Sequence, residues 1–135
     1  MRRITAKDSA PEMAVRRIVH RMGFRYRLHN HRLPGRPDLV FPRLRKIIFV
    51  HGCFWHCHAG CPAAHVPQSR QEYWAPKLLR NTRRDRDNDE KLNADGWNIL
   101  TIWECELKNA EALQNRVAVF LSGRAIKTAS AGGQV

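Results

Sequence analysis

Five side chains of the kinds that ligate soft metal ions are concentrated in two short stretches of the chain. Four of them lie within nine residues and the fifth follows much later: Cys53, Cys57, His58, Cys61 and Cys105. Thiolates and imidazoles in sets of four form closed structural zinc sites. The basic start of the chain lacks the apolar core of an export signal, so metal ligation is favoured over disulfide formation. The sequence therefore predicts a structural metal site, and spacing alone leaves open which ligand is surplus.

Further candidate residues, which are carboxylates and imidazoles, lie in other segments of the chain. Asp38 opens a predicted hairpin whose second strand ends at Val50-His51, where a carboxylate and the backbone of the far strand could share a divalent cation. An Asp in a Pro- and Gly-rich turn is also an ordinary turn residue. His51 and His56 are weak candidates when each is taken alone, and Glu12 fits a helix capping box begun by Ser9.

Two acidic residues interrupt the face of a predicted long helix that should be buried. Leu78, Thr82, Asp85, Asp89 and Leu92 recur at helical spacing on one stripe. Inward-facing carboxylates need partners, because an unpaired buried charge is costly. The alternative is simple salt bridging to basic neighbours, namely Arg83, Arg84, Arg86 and Lys91.

The chain is strongly basic, since 24 Lys and Arg against 12 Asp and Glu give a net charge of +12. Such a charge predicts a polyanionic partner, and nucleic acid is the first candidate.

Aromatic residues lie beside the cysteine-rich loop of this basic chain. Phe54-Trp55 and Tyr73-Trp74 could stack on or wedge between bases, or they could pack over the loop as a small satellite core. A basic stripe of the long helix is either a phosphate-contacting edge or an ordinary solvated face: Lys77, Arg80, Arg84 and Lys91.

The elements that must position these residues follow from hydrophobic periodicity and turn residues. The predicted order is a helix ending at Gly23, strands over about 24–28, 38–41 and 46–50, a loop to 71, a helix over about 76–95, a strand at 98–103 and a helix over 109–121. This order indicates one α/β domain with a mixed sheet flanked by helices. No apolar run approaches the ~20 residues of a membrane span.

Several sequence blocks resemble the very-short-patch repair (Vsr) endonucleases. LPGRPD at 33–38 and HGCFWH at 51–56 carry the resemblance, and RQEYW at 70–74, RDRDN at 84–88 and WNILTIWEC at 97–105 extend it. The resemblance implies a restriction-endonuclease fold for the domain at 1–123. The small and polar composition of residues 124–135 predicts a disordered tail. The resemblance also implies an enzyme that nicks DNA on the 5′ side of the T in T·G mismatches, which arise when 5-methylcytosine is deaminated.

The resemblance assigns catalytic roles to residues that are individually weak candidates. It implies a Mg²⁺ ion on Asp38 and on the backbone carbonyl of Val50, where the family usually has Thr. It makes His56 the histidine that assists the attacking water. Three further residues would hold metal-bound waters or orient that histidine: His51, Glu12 and Asp85.

The resemblance also assigns ligands and DNA contacts. The implied zinc ligands are Cys53, His58, Cys61 and Cys105, although the segment from His56 to Cys61 is one residue longer than usual and Cys57 is the competing third ligand. The implied wedge residues are Phe54, Trp55 and Trp74. Lys77 and Arg80 are the expected phosphate contacts on the long helix.

The expected partner is double-stranded DNA with a T·G mismatch, and mismatch-repair proteins are further candidate partners. We expect the protein to act as a monomer in the bacterial cytoplasm and not to associate with membranes. The family has a basic arm that enters the minor groove, and Met1 to Ile4 are the residues that correspond to it here. We expect either a weaker affinity for the mismatch or a natural start that lies upstream of Met1. The main alternative is a non-catalytic, zinc-stabilised module that marks mismatches. A histidine-metal nuclease of the HNH type is a third possibility, disfavoured because the predicted core strands are too many for a ββα-metal hairpin.

Overall fold

Four strands form a single mixed sheet in the computed structural model, which describes residues 10–28, 30, 32–62 and 70–123. Along the chain the elements are α1 (Ala10–Arg21), β1 (Arg27–Leu28), β2 (Leu39–Phe41), β3 (Lys46–His51), α2 (Gln71–Ala94), β4 (Asn98–Trp103), a 3-10 helix (Glu104–Lys108) and α3 (Ala110–Ser122). The sheet order is β1-β2-β3-β4, in which only the β3–β4 pair is parallel. The predicted order of elements and the mixed sheet are confirmed.

Helices cover both faces of the sheet, which is why its strands read as nearly continuous apolar runs. Ile48 and Ile102 face α1 and α3, in a cluster that also holds Leu39, Phe41, Val15, Ile18, Val19, Leu113, Val117 and Leu121. The alternate strand residues face α2, in a second cluster formed by Val40, Ile47, Phe49, Leu92 and Trp97. Since side chains alternate along a strand, His51 and Trp103 lie on the face turned toward α2.

The parallel register of β3 and β4 determines where the two metal-ligand stretches meet. Lys46 pairs with Asn98 at one end of the ladder and His51 pairs with Trp103 at the other. The loop that begins after His51 and the 3-10 helix that carries Cys105 therefore leave the same end of the sheet. We refer to this end of the sheet as the His51 end.

Two predicted boundaries were wrong. The helix α2 begins at Gln71 rather than Pro76, so Pro76 lies inside it. Proline is favoured in a first turn, but here the packing of Trp74 against the cysteine-rich loop stabilises an additional turn before it. The first strand is only Arg27–Leu28, which pairs with Val40 and Leu39 of the three-residue strand β2. Beyond Phe41 this partner ends at Pro42, which has no N–H to continue the ladder.

The remaining elements agree with the prediction. Asn109 caps α3 by accepting a 3.1 Å hydrogen bond from the Ala112 N–H, and Gly123 ends it with a φ of 78°. None of the described helices is long and apolar enough to cross a membrane. The capping residue Ser9, the arm residues Met1 to Ile4 and the tail at 124–135 lie outside the described residues.

Candidate active site and metal centre

Asp38 is attached to the His51 end of the sheet through its side chain. The Val50 N–H donates a 2.7 Å hydrogen bond to Oδ2 of Asp38. The β2–β3 ladder begins one residue later, with Leu39 opposite Ile48, so the carboxylate replaces a backbone acceptor. The N–H and C=O of one residue point to the same side of a strand, and the Val50 carbonyl is therefore directed toward Asp38. The hairpin brings together the two groups expected to share a cation.

Three polar side chains from three segments form a compact cluster at the same end. The candidate ligand atoms of His51, His56 and Asp85 lie within 4.8 Å of one another. Nδ1 of His56 is 2.6 Å from Oδ2 of Asp85, and the rings of His51 and His56 stack with centroids 3.7 Å apart and planes 7° apart. The inward carboxylate of Asp85 is thus partnered by a histidine rather than by the basic residues of its own helix.

Burial controls the charge within this cluster. It lowers the pKa of His51 to about 4, with a further lowering from His56 that Asp85 opposes. Burial also raises the pKa of Asp89, one helical turn further along α2, and the charge of Asp85 adds to that effect. His51 is therefore neutral at pH 7, and the stacked imidazoles do not carry two adjacent positive charges.

Glu12 is buried, whereas a residue that only caps a helix would be expected at the surface. Its side chain is 1% exposed and forms a 2.5 Å ion pair with Arg16 one turn along α1. Buried carboxylates persist when they are paired, as this one is. Burial of an acid in the first turn of α1 is compatible with the site role implied by the resemblance.

A second cluster contains three thiols and one imidazole. Ligand atoms of Cys53, His58, Cys61 and Cys105 all lie within 4.8 Å of one another, and Sγ of Cys105 is 3.5 Å from Nδ1 of His58. The loop folds back through a 3.0 Å hydrogen bond from the His58 N–H to the Cys53 carbonyl. The fifth candidate, Cys57, does not join this set and has a φ of 52°. The structure thus brings His58, and not Cys57, together with the other three candidate ligands.

The chemistry of this cluster fits a bound cation. Burial raises the pKa of Cys53 to about 11, a backbone hydrogen bond from Cys105 opposes this, and the thiols of Cys105 and Cys61 raise it further. A divalent metal reverses such a shift, because it binds the thiolate form. Three sulfurs and one nitrogen are a donor set typical of structural zinc.

The aromatic residues of the loop and of α2 pack against one another. Ring centroids are 5.1 Å apart for Phe54 and Trp55, 5.3 Å for Phe54 and Trp74, and 5.5 Å for Trp55 and Trp74. Trp55 nevertheless remains 48% exposed and Tyr73 47% exposed. The satellite-core and stacking interpretations are therefore compatible, since one side of the cluster packs and the other is accessible.

Two basic side chains lie over the ring of Tyr73, which is in contact with Trp74 of this aromatic cluster. The Lys77 ammonium and the Arg70 guanidinium lie 4.9 and 4.8 Å from the Tyr73 ring centroid, and Arg80 is exposed on the same helix. Sequence reasoning missed Arg70, although it immediately precedes α2. It also treated Trp103 only as a strand residue, whereas its ring contacts both His58 and His51.

Comparison with known proteins finds relatives that cover most of the chain. The family model for "DNA mismatch endonuclease Vsr" matches residues 1–61. The chain is 46% identical over 121 residues, covering 90% of this chain and 88% of the relative, to the type II nicking enzyme V.XorIIP of Xanthomonas oryzae pv. oryzae. It is 41% identical over 113 residues, covering 84% of this chain and 72% of the relative, to the DNA mismatch endonuclease Vsr of Escherichia coli.

A third relative is the type II nicking enzyme V.NmeAIP of Neisseria meningitidis, 38% identical over 117 residues, which cover 87% of this chain and 83% of the relative. The mixed sheet with helices on both faces is the restriction-endonuclease-like architecture expected for such proteins. These similarities extend over most of each chain. The chain belongs to the DNA mismatch endonuclease Vsr family.

Proposed function

We propose that this protein is a Mg²⁺-dependent endonuclease that nicks duplex DNA on the 5′ side of the T in T·G mismatches formed by deamination of 5-methylcytosine. The observation that carries the proposal is the 2.6 Å contact between His56 and Asp85, at the end of the sheet where Asp38 meets Val50. Relatives named as a mismatch endonuclease and as nicking enzymes support the same activity. The enzyme would act on chromosomal DNA in the cytoplasm.

The reaction is hydrolysis of one phosphodiester bond. A water oxygen adds to the phosphorus, one P–O ester bond breaks, a base accepts the proton of the water, and the leaving oxygen is protonated. The histidine couple suits the role of the base. An ionised carboxylate only accepts hydrogen bonds, so Asp85 fixes the proton of His56 on Nδ1 and leaves Nε2 as the acceptor.

Neutral His51 supports this arrangement by holding the His56 ring in a parallel stack without adding a second charge. Mg²⁺ bound by the Asp38 carboxylate and the Val50 carbonyl would place positive charge near the attacking and leaving oxygens. A carboxylate has about four acceptor positions, so the hydrogen bond from the Val50 N–H is compatible with ligation. Val50 in place of Thr preserves this role because the ligand is a backbone atom.

Recognition of the mismatch would come from the exposed aromatic and basic side chains next to the site. Trp55 offers an accessible ring, and Lys77 and Arg80 offer cations for the phosphate backbone. A non-catalytic mismatch-binding module would use the same surface but would have no use for the His56–Asp85 couple. The four-stranded mixed sheet likewise disfavours the HNH alternative.

Mismatch specificity is tested with two duplexes of one sequence that differ at one base, T·G in one and C·G in the other. In the presence of Mg²⁺ we expect nicking of the T·G duplex and at most trace cleavage of the matched one. Equal cleavage of both duplexes would contradict mismatch specificity. Tight binding to the T·G duplex without any nick would instead favour the non-catalytic module.

We predict that Cys105→Ser lowers the zinc content and the melting temperature together. The serine hydroxyl is a poor zinc ligand, and a lost structural zinc removes binding energy that stabilises the fold. We expect the melting temperature to fall by at least about 5 °C, with zinc measured by elemental analysis of the same sample. Cys57→Ser is the matched control, because Cys57 lies outside the cluster. Full zinc content in the Cys105 variant would refute the ligand assignment.

We predict that Trp55→Ala weakens binding to the T·G duplex by about 10-fold, corresponding to the ~1–3 kcal/mol of one stacking contact. Binding to the matched duplex should change much less, because phosphate contacts dominate it. Leu79→Ala is a suitable control, since Leu79 is similarly exposed on α2 but lies outside the aromatic contacts described above. A Trp55 variant that discriminates between the duplexes as well as the unaltered protein would contradict the wedge role.

A further inference from the structure

Trp103 stands between the two clusters of the site. It is the last residue of β4, and its Cα is in register with that of His51 at the end of β3. Two residues later the chain reaches Cys105 of the thiol cluster. The fold therefore places one large flat side chain between the His51–His56 pair and the cysteine-rich loop.

The ring of Trp103 contacts both sides. It stacks on His58 with centroids 4.2 Å apart and planes 9° apart, and it meets His51 edge-on at 5.4 Å and 75°. It also approaches His56 at 6.5 Å and 68°. Parallel and edge-on arrangements at these separations are the favourable geometries for aromatic rings. The Trp103 ring thus packs against His58 on one side and against His51 on the other.

The backbone of Trp103 is held from outside the site. Its N–H donates a 2.8 Å hydrogen bond to Oε1 of Glu106, and Glu106 forms an ion pair with Arg116 of α3. Arg116 also donates a 3.2 Å hydrogen bond to the Thr101 carbonyl of the same strand. The backbone that carries the indole is therefore held by contacts outside the cysteine-rich loop.

We propose that Trp103 is a positioning residue, which aligns the His51–His56 stack by anchoring it to the His58 side of the thiol cluster. This proposal rests on the proposed function, because alignment of His56 matters only if His56 assists the attacking water. A flat ring is required, since a branched apolar side chain of similar bulk cannot contact both imidazoles in these orientations. A well-ordered thiol cluster would then hold the His51 and His56 rings in place through their contacts with the Trp103 ring.

The test compares Trp103→Leu with Trp103→Phe, and Trp97→Phe serves as a control in the second core cluster. On the T·G duplex with Mg²⁺, we expect Trp103→Leu to lower kcat by about 10- to 100-fold with KM nearly unchanged, because misplacement of a catalytic group affects the chemical step. Trp103→Phe retains a flat ring and should recover most of kcat. Zinc content and the imidazole NMR signals of His51 and His56 are measured on the same samples without DNA.

The proposal predicts that the His51 and His56 signals shift in Trp103→Leu while zinc content is retained. It is overturned if kcat of Trp103→Leu stays within about twofold of the unaltered protein, which is less than misalignment would cause. It is also overturned if kcat falls only in proportion to zinc loss, equally in the Leu and Phe variants. If the unaltered protein does not nick T·G duplexes, the proposed function fails. The NMR comparison then decides positioning alone, because unchanged histidine signals would reject it.

Discussion

Replacing Asp38 with asparagine is expected to abolish nicking while leaving binding to T·G duplexes intact. The amide keeps the size of the side chain and can still accept the hydrogen bond from the Val50 N–H, so the hairpin should retain its geometry. What it loses is the negative charge that would hold Mg²⁺. Loss of metal-derived charge stabilisation of several kcal/mol corresponds to a rate reduction of about 1000-fold or more.

The measurement is single-turnover nicking of an end-labelled duplex, alongside a binding titration with the same DNA. Asp87→Asn is the matched control, since Asp87 is an exposed carboxylate of α2 outside both clusters, and it should nick normally. Binding should survive in Asp38→Asn because aromatic and phosphate contacts lie on other side chains. An Asp38→Asn protein that nicks at the rate of the unaltered protein would disprove the assignment of the metal-binding carboxylate.

Replacing His56 with alanine is expected to lower kcat by about 100- to 10,000-fold, the range typical for loss of a general base. Asp85→Asn should also lower kcat, because the amide no longer fixes the proton on Nδ1 of His56. If Asp85 acts through His56, the two effects are not additive, and the double variant should be about as slow as His56→Ala alone. His20→Ala, an exposed histidine of α1, is the control.

These variants separate a catalytic couple from a structural ion pair. A structural pair would lower the melting temperature of both variants and change kcat little. Fully additive losses from His56→Ala and Asp85→Asn would mean that the two side chains act independently. A His56→Ala protein with nearly unaltered kcat would remove His56 from the mechanism altogether.

The sheet was predictable because its strands are short apolar runs rich in β-branched and aromatic residues and bounded by turn residues. The boundaries that failed depend on tertiary contacts. The early start of α2 at Gln71 depends on the packing of Trp74 against the cysteine-rich loop, which periodicity does not encode. The shortness of β1 depends on its partner, whose ladder cannot continue past Pro42.

The candidate site was predictable only in part. The stripe that contains Asp85 indicated an inward carboxylate, but its partner His56 is 29 residues away and was suggested only by family resemblance. Glu12 fitted a capping box, and nothing in the local sequence indicated its burial. Spacing left Cys57 and His58 as alternatives, because the choice depends on how the loop turns. Trp103 could not be found at all without the register of β3 and β4.

The proposed nicking activity is tested most directly by labelling each strand of a T·G duplex separately and incubating the duplex with the protein in Mg²⁺ or in EDTA. We predict one product, from the T-containing strand only, cut on the 5′ side of the T and formed only with Mg²⁺. Cleavage of the G-containing strand, or equal cleavage in EDTA, would contradict the proposed function. A bound but uncut duplex in Mg²⁺ would contradict it as well and would indicate a mismatch-binding module without catalytic activity.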